Sequence, residues 1–312
     1  MGSRVDTQGS PAYLKAMQSR FAYLPHRTVL ALNGPDTIDM LERLITSTTT
    51  DWPVGDARPG ALLTPQGKII ADFLAIRTGE GVLLDIHRDA VEDLSKRLKL
   101  FRLRAKVDIE PLENAIVVAG IEPAEHGVRP VSGAQLVYID PRYPGGRLRA
   151  MADKTEWRQY HGHEAEWSLP ASDHDLDRIV SGIPEWGFDY RAAEVFPADV
   201  NLDRLGGVDY KKGCFVGQEV VSRMYRRGKI RKRTFLVTGE ALSQGAAFEA
   251  DQALGVITSV SGERGLCLLR LDRFARAELT GHQTLCNGSP ADLLKCRQDW
   301  MDEEIREAYA SD

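Results

Sequence analysis

The residue best placed to do chemistry is Cys214, which lies in the segment Lys211–Glu219 (KKGCFVGQE). Gly213 and Gly217 flank it closely, so the backbone can turn there or approach a ligand. The residues Gln218–Tyr225 favour a helix, which places the cysteine just before a helix N-terminus. That position and the two lysines that open the segment favour thiolate over thiol. The pattern therefore predicts a nucleophilic or metal-binding thiol.

The other interpretation of Cys214 is a small buried hydrophobe, as many free cysteines are. The remaining cysteines differ from it: Cys267 lies in an apolar run typical of a core strand, and Cys286 and Cys296 lie in weakly patterned sequence. No two cysteines have the CxxC spacing, which argues against a zinc site or a four-cysteine cluster held by this chain alone. We predict no resident metal ion and no disulfide framework.

A concentrated basic segment surrounds and follows the cysteine. Lys211–Arg233 holds nine basic side chains and only Glu219 as an acid, so its net charge is about +8 in a chain of net charge −5. The run Arg223–Arg233 would suit a polyglutamate tail, a phosphate or an RNA backbone. It could equally be a solvated hinge whose long side chains cover apolar surface.

Other catalytic motifs are absent from the sequence, which contains no GxGxxG, P-loop, nucleophile elbow or HExxH. His161 and His163 form the one close histidine pair, in a polar segment. Asp72 and Asp85 are single carboxylates inside strand-like runs, without a visible partner.

The composition is that of a globular protein large enough for two or three domains: 312 residues, 43% hydrophobic and 27% charged. No apolar run approaches the roughly 18 residues of a membrane span. The first twenty residues resemble neither a signal peptide nor an Arg-rich mitochondrial presequence. We expect a bacterial-type cytoplasm, with the mitochondrial matrix as the location if the source is eukaryotic.

Local patterns predict an antiparallel α+β body. Ala61–Leu63 and Ile69–Arg77 read as a hairpin, and Val82–Ile86 as the next strand. Asp36 is expected to cap one helix, Asp89 a second and Asp173 a third that runs to Val180. Strand–strand–helix order differs from the strand–helix alternation of a Rossmann sheet.

The sequence pattern changes near Arg233. After this residue, short strand-like runs alternate with turns that contain Gly, Ser and Asp. This is typical of a small β-barrel. We predict four segments along the chain: a disordered start (1–20), a body of two subdomains (21–233), a barrel (234–290) and an acidic tail or helix (291–312).

The stretch KKGCFVGQEVVSR resembles the YgfZ family of folate-binding proteins, whose hallmark is Lys-Gly-Cys-aromatic-any-Gly-Gln-Glu. Phe215 stands where tyrosine is commoner in that family. Further similarity lies in four segments: 61–68, 101–106, 196–207 and 228–233. The resemblance implies the fold of the glycine cleavage T-protein, a folate-binding body of antiparallel sheets with helices followed by a small C-terminal β-barrel.

The resemblance also implies a function: a tetrahydrofolate-binding factor that supports assembly or repair of iron–sulfur clusters in client enzymes, including tRNA-modifying radical-SAM enzymes. Cys214 would be the reactive thiol, in transient contact with a cluster. The implied partners are folate and iron–sulfur client or carrier proteins, without a membrane. The folate-binding residues expected on this basis are Asn201, Lys212, Gly213, Gln218, Glu219 and Arg223.

Two departures from the T-protein pattern keep alternatives open. Val180 stands where the T-protein has a glutamate in its Arg-any-Glu-any-Gly pattern, and Cys214 stands where it has an acidic residue. A thiol exchanges charge stabilisation for nucleophilic, redox or soft-metal chemistry. The alternatives are a folate-dependent aminomethyltransferase and a non-catalytic module that binds RNA or protein.

Overall fold

The computed structural model of the protein describes residues 21–124, 127–128, 130–162, 168–226, 230–293, 301 and 303–306. These residues form two five-stranded sheets, a closed six-stranded barrel and six α-helices. The strands are β1 (Phe21–Tyr23), β2 (Arg27–Asn33), β3 (Ala57–Leu63), β4 (Ile69–Arg77), β5 (Gly81–His87), β6 (Asp108–Pro111), β7 (Ala115–Pro123), β8 (Leu136–Asp140), β9 (Arg147–Asp153), β10 (Ser168–Leu169), β11 (Lys232–Gly239), β12 (Ala247–Glu249), β13 (Ala253–Ser261), β14 (Arg264–Arg270), β15 (Leu285–Cys286) and β16 (Ser289–Leu293). The helices are α1 (Thr37–Leu44), α2 (Val91–Arg102), α3 (Lys154–His161), α4 (Ala171–Val180), α5 (Gln218–Arg226) and α6 (Leu271–Thr280), with 3-10 turns at Arg88–Ala90 and Pro197–Val200. This arrangement confirms the predicted α+β class with a C-terminal barrel.

The first sheet has the order β3-β4-β5-β2-β6, and all of its strand pairs are antiparallel. The predicted hairpin is present, with Leu62 opposite Ala71 and a tight turn in which the Gly67 amide donates to the Thr64 carbonyl at 2.8 Å. Both strands are buried over most of their length, because helices α1 and α2 and the second sheet flank them.

The second sheet has the order β10-β1-β7-β9-β8, with β1 and β10 parallel and the other pairs antiparallel. Its inner face packs on the first sheet through a shared apolar cluster. That cluster includes Val29 and Leu74 from the first sheet and Val117, Tyr138 and Met151 from the second. The two sheets therefore form one body with a common core.

A buried charge network crosses between the two sheets and corrects the prediction that Asp85 has no partner. Its carboxylate accepts hydrogen bonds from Arg27 (2.6 Å) on β2, and from Tyr138 (2.8 Å) and Arg149 (2.7 Å) on the second sheet. Burial raises the pKa of Asp85, but the two guanidinium groups outweigh that effect and hold the pKa below its usual value. Asp72 is also buried, which raises its pKa, and its Oδ1 atom has no hydrogen-bond partner among the described residues.

The barrel closes in the strand order β11-β14-β13-β12-β15-β16, with β16 returning to pair with β11. Its strands run from Lys232 to Leu293, against the expected 234–290. Phe235, Phe248 and Cys267 lie in its core, so Cys267 occupies the buried position that its apolar run predicts. Of the predicted tail, Ile305 packs into the same core, and Cys296 lies outside the described residues.

Two predicted helix caps are wrong. Helix α2 begins at Val91 behind a 3-10 turn whose capping acceptor is the His87 ring, so Asp89 caps nothing. Helix α4 begins at Ala171, which places Asp173 inside its first turn. In both cases the acidic residue lies in a first turn. Its charge interacts favourably with the positive end of the helix dipole, but its side chain does not accept the cap hydrogen bond. No helix in the described part of the chain is long and apolar enough to cross a bilayer.

Candidate functional site

Cys214 is exposed on the loop that enters helix α5, and its sulfur forms no disulfide. The helix begins at Gln218, as predicted, four residues after the cysteine. The thiol is therefore presented to solvent near the helix N-terminus, which excludes the buried-hydrophobe interpretation.

The loop lies directly on the β3–β4 turn. Gly217 has φ +80°, and a side chain there would collide with the Thr64 carbonyl oxygen. Gly67 of the same turn packs against Val220 and Val221 of helix α5. Only glycine permits this close approach, which explains one of the two glycines beside the cysteine.

Lys212 anchors the cysteine loop to the body. Its side chain is only 1% exposed, and its ammonium group donates to the carbonyls of Ile45 (3.0 Å) and Ser47 (2.8 Å) and lies 3.4 Å from Glu42. Burial lowers the pKa of Lys212, and the nearby Glu42 carboxylate opposes that shift. The lysine points into the body instead of toward a ligand, which differs from the folate-binding and thiol-activating roles expected from the sequence.

Gln218 and Phe215 hold the loop from the other side. The Gln218 side chain accepts from the Phe215 amide and donates to the Lys212 carbonyl, each at 3.4 Å. The Phe215 ring is buried in the body core. The Cys214 side chain is thus exposed on a short loop that the buried side chains of Lys212 and Phe215 hold in place on either side.

The thiol borders an open cleft of about 790 Å³. Arg223 and Arg226 place two exposed guanidinium groups along it, and Glu219 adds one carboxylate. The full lining is Pro65, Cys214, Phe215, Val216, Gly217, Gln218, Glu219, Ser222, Arg223 and Arg226. A thiol beside two cations suits an anionic partner more than a neutral one.

The residues expected to bind folate do not converge on this cleft. Gln218, Glu219 and Arg223 line it, whereas Asn201, Lys212 and Gly213 do not. Asn201 is buried at the joint between body and barrel, where its Nδ2 donates to the Thr234 carbonyl at 2.8 Å. Its Oδ1 atom lacks a partner among the described residues. Folate binding by these residues stays a prediction, and we derive no chemical step through folate.

The basic run divides into exposed and buried members. Arg231 and Lys232 are exposed, and residues 227–229 lie outside the described part. Arg233 corrects the prediction that the whole run faces an anionic ligand, because its side chain is 0% exposed. It contacts Asp203 (2.6 Å) and Glu304 (2.7 Å), so its charge is neutralised within the protein.

The other positions noted in the sequence lie away from the thiol. Val180 ends helix α4 and is partly exposed, and Arg178 on the same helix is buried against Asp189 (2.7 Å). His161 contacts the Ser132 carbonyl through its Nε2, and His163 lies outside the described residues. No group of three or more His, Cys, Asp or Glu side chains in the described ranges could hold a metal ion.

Replacing Lys212 by methionine is expected to loosen the cysteine loop. Two carbonyls and Glu42 would lose their donor, which costs about 1–3 kcal/mol when the orphaned groups stay buried. Amide hydrogen exchange across residues 211–218 should become faster, while the barrel strands keep their protection. The matched control is Lys211→Met at the exposed neighbour, and equal exchange in the two variants would contradict the anchoring role.

Residues 231–302 match the family described as CAF17, C-terminal beta-barrel domain. The chain resembles two fungal proteins named "Iron-sulfur cluster assembly factor IBA57 homolog, mitochondrial": that of Mycosarcoma maydis at 30% identity over 69% of this chain, and that of Pyricularia oryzae at 26% over 84%. It also resembles the human "Iron-sulfur cluster assembly factor IBA57, mitochondrial" at 28% identity over 79% of the chain.

The aligned lengths differ among these relatives. The chain spans only 56% of the Mycosarcoma protein, against 74% of the Pyricularia protein and 76% of the human one. The fold matches the glycine cleavage system aminomethyltransferase T from Bartonella henselae with a TM-score of 0.67, covering 91% of this chain and 88% of that one at 13% identity. That likeness confirms the predicted T-protein-like fold. The matches bear out the broader resemblance, and assignment to the YgfZ family itself stays a prediction.

Proposed function

We propose that this protein is an iron–sulfur cluster assembly factor that acts through Cys214. The observation that carries the proposal is the exposed thiol on a doubly clamped loop beside two arginines. The similarity to proteins named as iron–sulfur cluster assembly factors supports the same conclusion. Thiolates are the ligands that iron–sulfur clusters use most.

The cluster is cargo in this proposal, and the partner completes its coordination. Clusters are commonly held by four cysteines, whereas the described residues offer one exposed thiol and no metal-binding group. Cys214 loses its proton on binding iron and supplies one ligand. A carrier or client protein supplies the others, and Arg223 and Arg226 hold anionic groups of that partner beside the thiol. Tyr225, stacked on Tyr210 with ring centroids 4.0 Å apart, offers an exposed aromatic contact on the same helix.

Complementation tests the function. In a strain of the source organism that lacks this protein, activities of cluster-dependent enzymes, tRNA-modifying radical-SAM enzymes among them, should fall and recover when the full chain is expressed. Cluster-free enzymes measured in the same extracts serve as the control. Unchanged cluster-dependent activities in the deletion strain would refute the proposal. If the source is eukaryotic, we place this activity in the mitochondrial matrix, and the word "mitochondrial" in the names of the relatives supports that placement.

Reduced-folate binding is a separate part of the proposal, and it rests on the T-protein-like fold instead of the cleft. Titration of 5-formyltetrahydrofolate into the purified chain by calorimetry is expected to show saturable binding that Cys214→Ala leaves intact. Absence of heat would remove folate from the account without affecting the thiol chemistry. Release of ammonia from an aminomethyl-lipoyl carrier would instead favour the aminomethyltransferase alternative.

A further inference from the structure

The end of helix α2 displays three large apolar side chains to solvent. Leu100 is 75% exposed, Phe101 43% and Leu103 86%. The same helix buries Val91 and Leu94 against the body, so its core-facing side is already satisfied. Apolar clusters of this kind are uncommon on surfaces that meet only water, and they mark interaction sites.

The backbone at Leu103 is unusual for such a residue. It has φ +49° and ψ −108°, a conformation that costs energy for any side chain and is an outlier for a bulky one. The turn is fixed on both sides: the Arg102 guanidinium donates to the Val107 carbonyl (3.0 Å), and the Lys106 amide donates to Asp36 (2.7 Å). The fold therefore exposes a leucine side chain at a position whose backbone conformation would be unstrained for glycine.

The charge around these side chains is positive and local. Lys96–Lys106 contains six basic and no acidic residues. Lys96 and Arg97 are paired with Glu92 and Asp93 of the preceding helical turn. Lys99, Arg104 and Lys106 are exposed and form no ion pair within the described residues.

Acidic residues limit this positive area on its far side. Strand β6, at the edge of the first sheet, follows immediately and exposes Asp108 and Glu110. An anionic bilayer presents a broad negative plane, which those carboxylates would repel. A narrow acidic segment can lie on the cations and avoid them.

We propose that Leu100, Phe101 and Leu103, with Lys99 and Arg104, form a docking surface for an acidic protein segment that carries an apolar anchor side chain. This surface, called here the Leu103 surface, is separate in sequence from the Cys214 cleft and shares no lining residue with it. The strained leucine would be the central contact, and the two cations would give the complex its orientation and salt dependence.

Site-specific photo-crosslinking tests the proposal. The full chain carrying a photoreactive phenylalanine at position 103 is expressed in its native host, and crosslinked products are mapped to the residue by mass spectrometry. A second chain carries the same group at Leu279, a 66% exposed leucine on helix α6, as the control. We expect a defined protein crosslinked only at position 103, through a segment with acidic residues beside an apolar one. Products that are lipids, second copies of this chain, or no more abundant than at position 279 would overturn the proposal.

Two variants then measure the contact with the purified partner. Leu103→Gly and Arg104→Glu should each weaken binding by about tenfold or more, as truncation of a central anchor does. Leu103→Gly should also hold or raise the thermal midpoint, because glycine relaxes the turn. Undiminished binding, or a lowered thermal midpoint in Leu103→Gly, would show that Leu103 serves the fold and not a partner.

Discussion

Replacing Cys214 by alanine is expected to leave the protein folded and to abolish its support of cluster-dependent enzymes. The side chain is exposed on the surface, so little packing is lost. Alanine has no soft ligand for iron, and the described residues hold no metal-binding group to replace the thiol. In the deletion strain, client activities with this variant should stay at the level of the empty strain.

The matched control for this prediction is Ser222→Ala, which removes the buried hydroxyl of a residue that lines the same cleft. That variant should restore the client enzymes fully, since the hydroxyl has no hydrogen-bond partner among the described residues. Thermal unfolding of both variants establishes that they fold alike. If Cys214→Ala fully restored the client enzymes, the hypothesis that Cys214 is a ligand of cluster iron would be wrong, and the cleft would serve only for docking.

Replacing Arg233 by methionine is expected to cost about 3–5 kcal/mol of folding free energy, the usual effect of removing one partner of a buried ion pair. The guanidinium is fully buried and contacts Asp203, Glu304 and the Ala198 carbonyl (2.7 Å). These partners come from the body and from the C-terminal segment, while Arg233 belongs to the first barrel strand. The variant leaves the buried Asp203 carboxylate without its cation, and Glu304 keeps its contact with Arg204 (2.7 Å).

Urea denaturation of the full chain measures this loss. The control is Arg97→Ala, which removes a partly exposed helical pair with Asp93 and should cost about 0.3–0.5 kcal/mol. If Arg233→Met and Arg97→Ala destabilise the chain equally, the joint between body and barrel does not depend on this ion cluster. The same measurement shows whether body and barrel unfold together. A single transition in Arg233→Met means that they still do, and two separate transitions mean that they no longer do.

Much of the fold could be predicted from the sequence because its signals are local. The Ile69–Arg77 strand has the observed bounds, since an apolar run between turn residues needs no distant information. Helix α5 begins where the glycine-to-Gln218 transition predicts it. The barrel was recognisable from short strands separated by turn residues after Arg233.

The direction of long charged side chains could not be predicted in this way. Lys212 and Arg233 both lie in the basic segment, yet one enters the body and the other the joint with the barrel. Their partners Glu42 and Glu304 are distant in sequence, so only the folded chain brings them together. Asp85 shows the same effect, because Tyr138 and Arg149 reach it from another sheet. An arginine or lysine next to a glycine-rich loop therefore indicates a charged site without saying whether the charge faces a ligand.

Binding of cluster iron by the Cys214 sulfur can be measured directly. The purified chain is mixed anaerobically with a cluster-loaded carrier protein from the same organism, and native mass spectrometry follows the product. Iron binding by Cys214 predicts a heteromeric complex that retains the cluster, protects Cys214 from alkylation by iodoacetamide, and is absent with Cys214→Ala. A cluster-bearing complex that forms equally well with Cys214→Ala, or that leaves Cys214 as reactive as in the free chain, would contradict it.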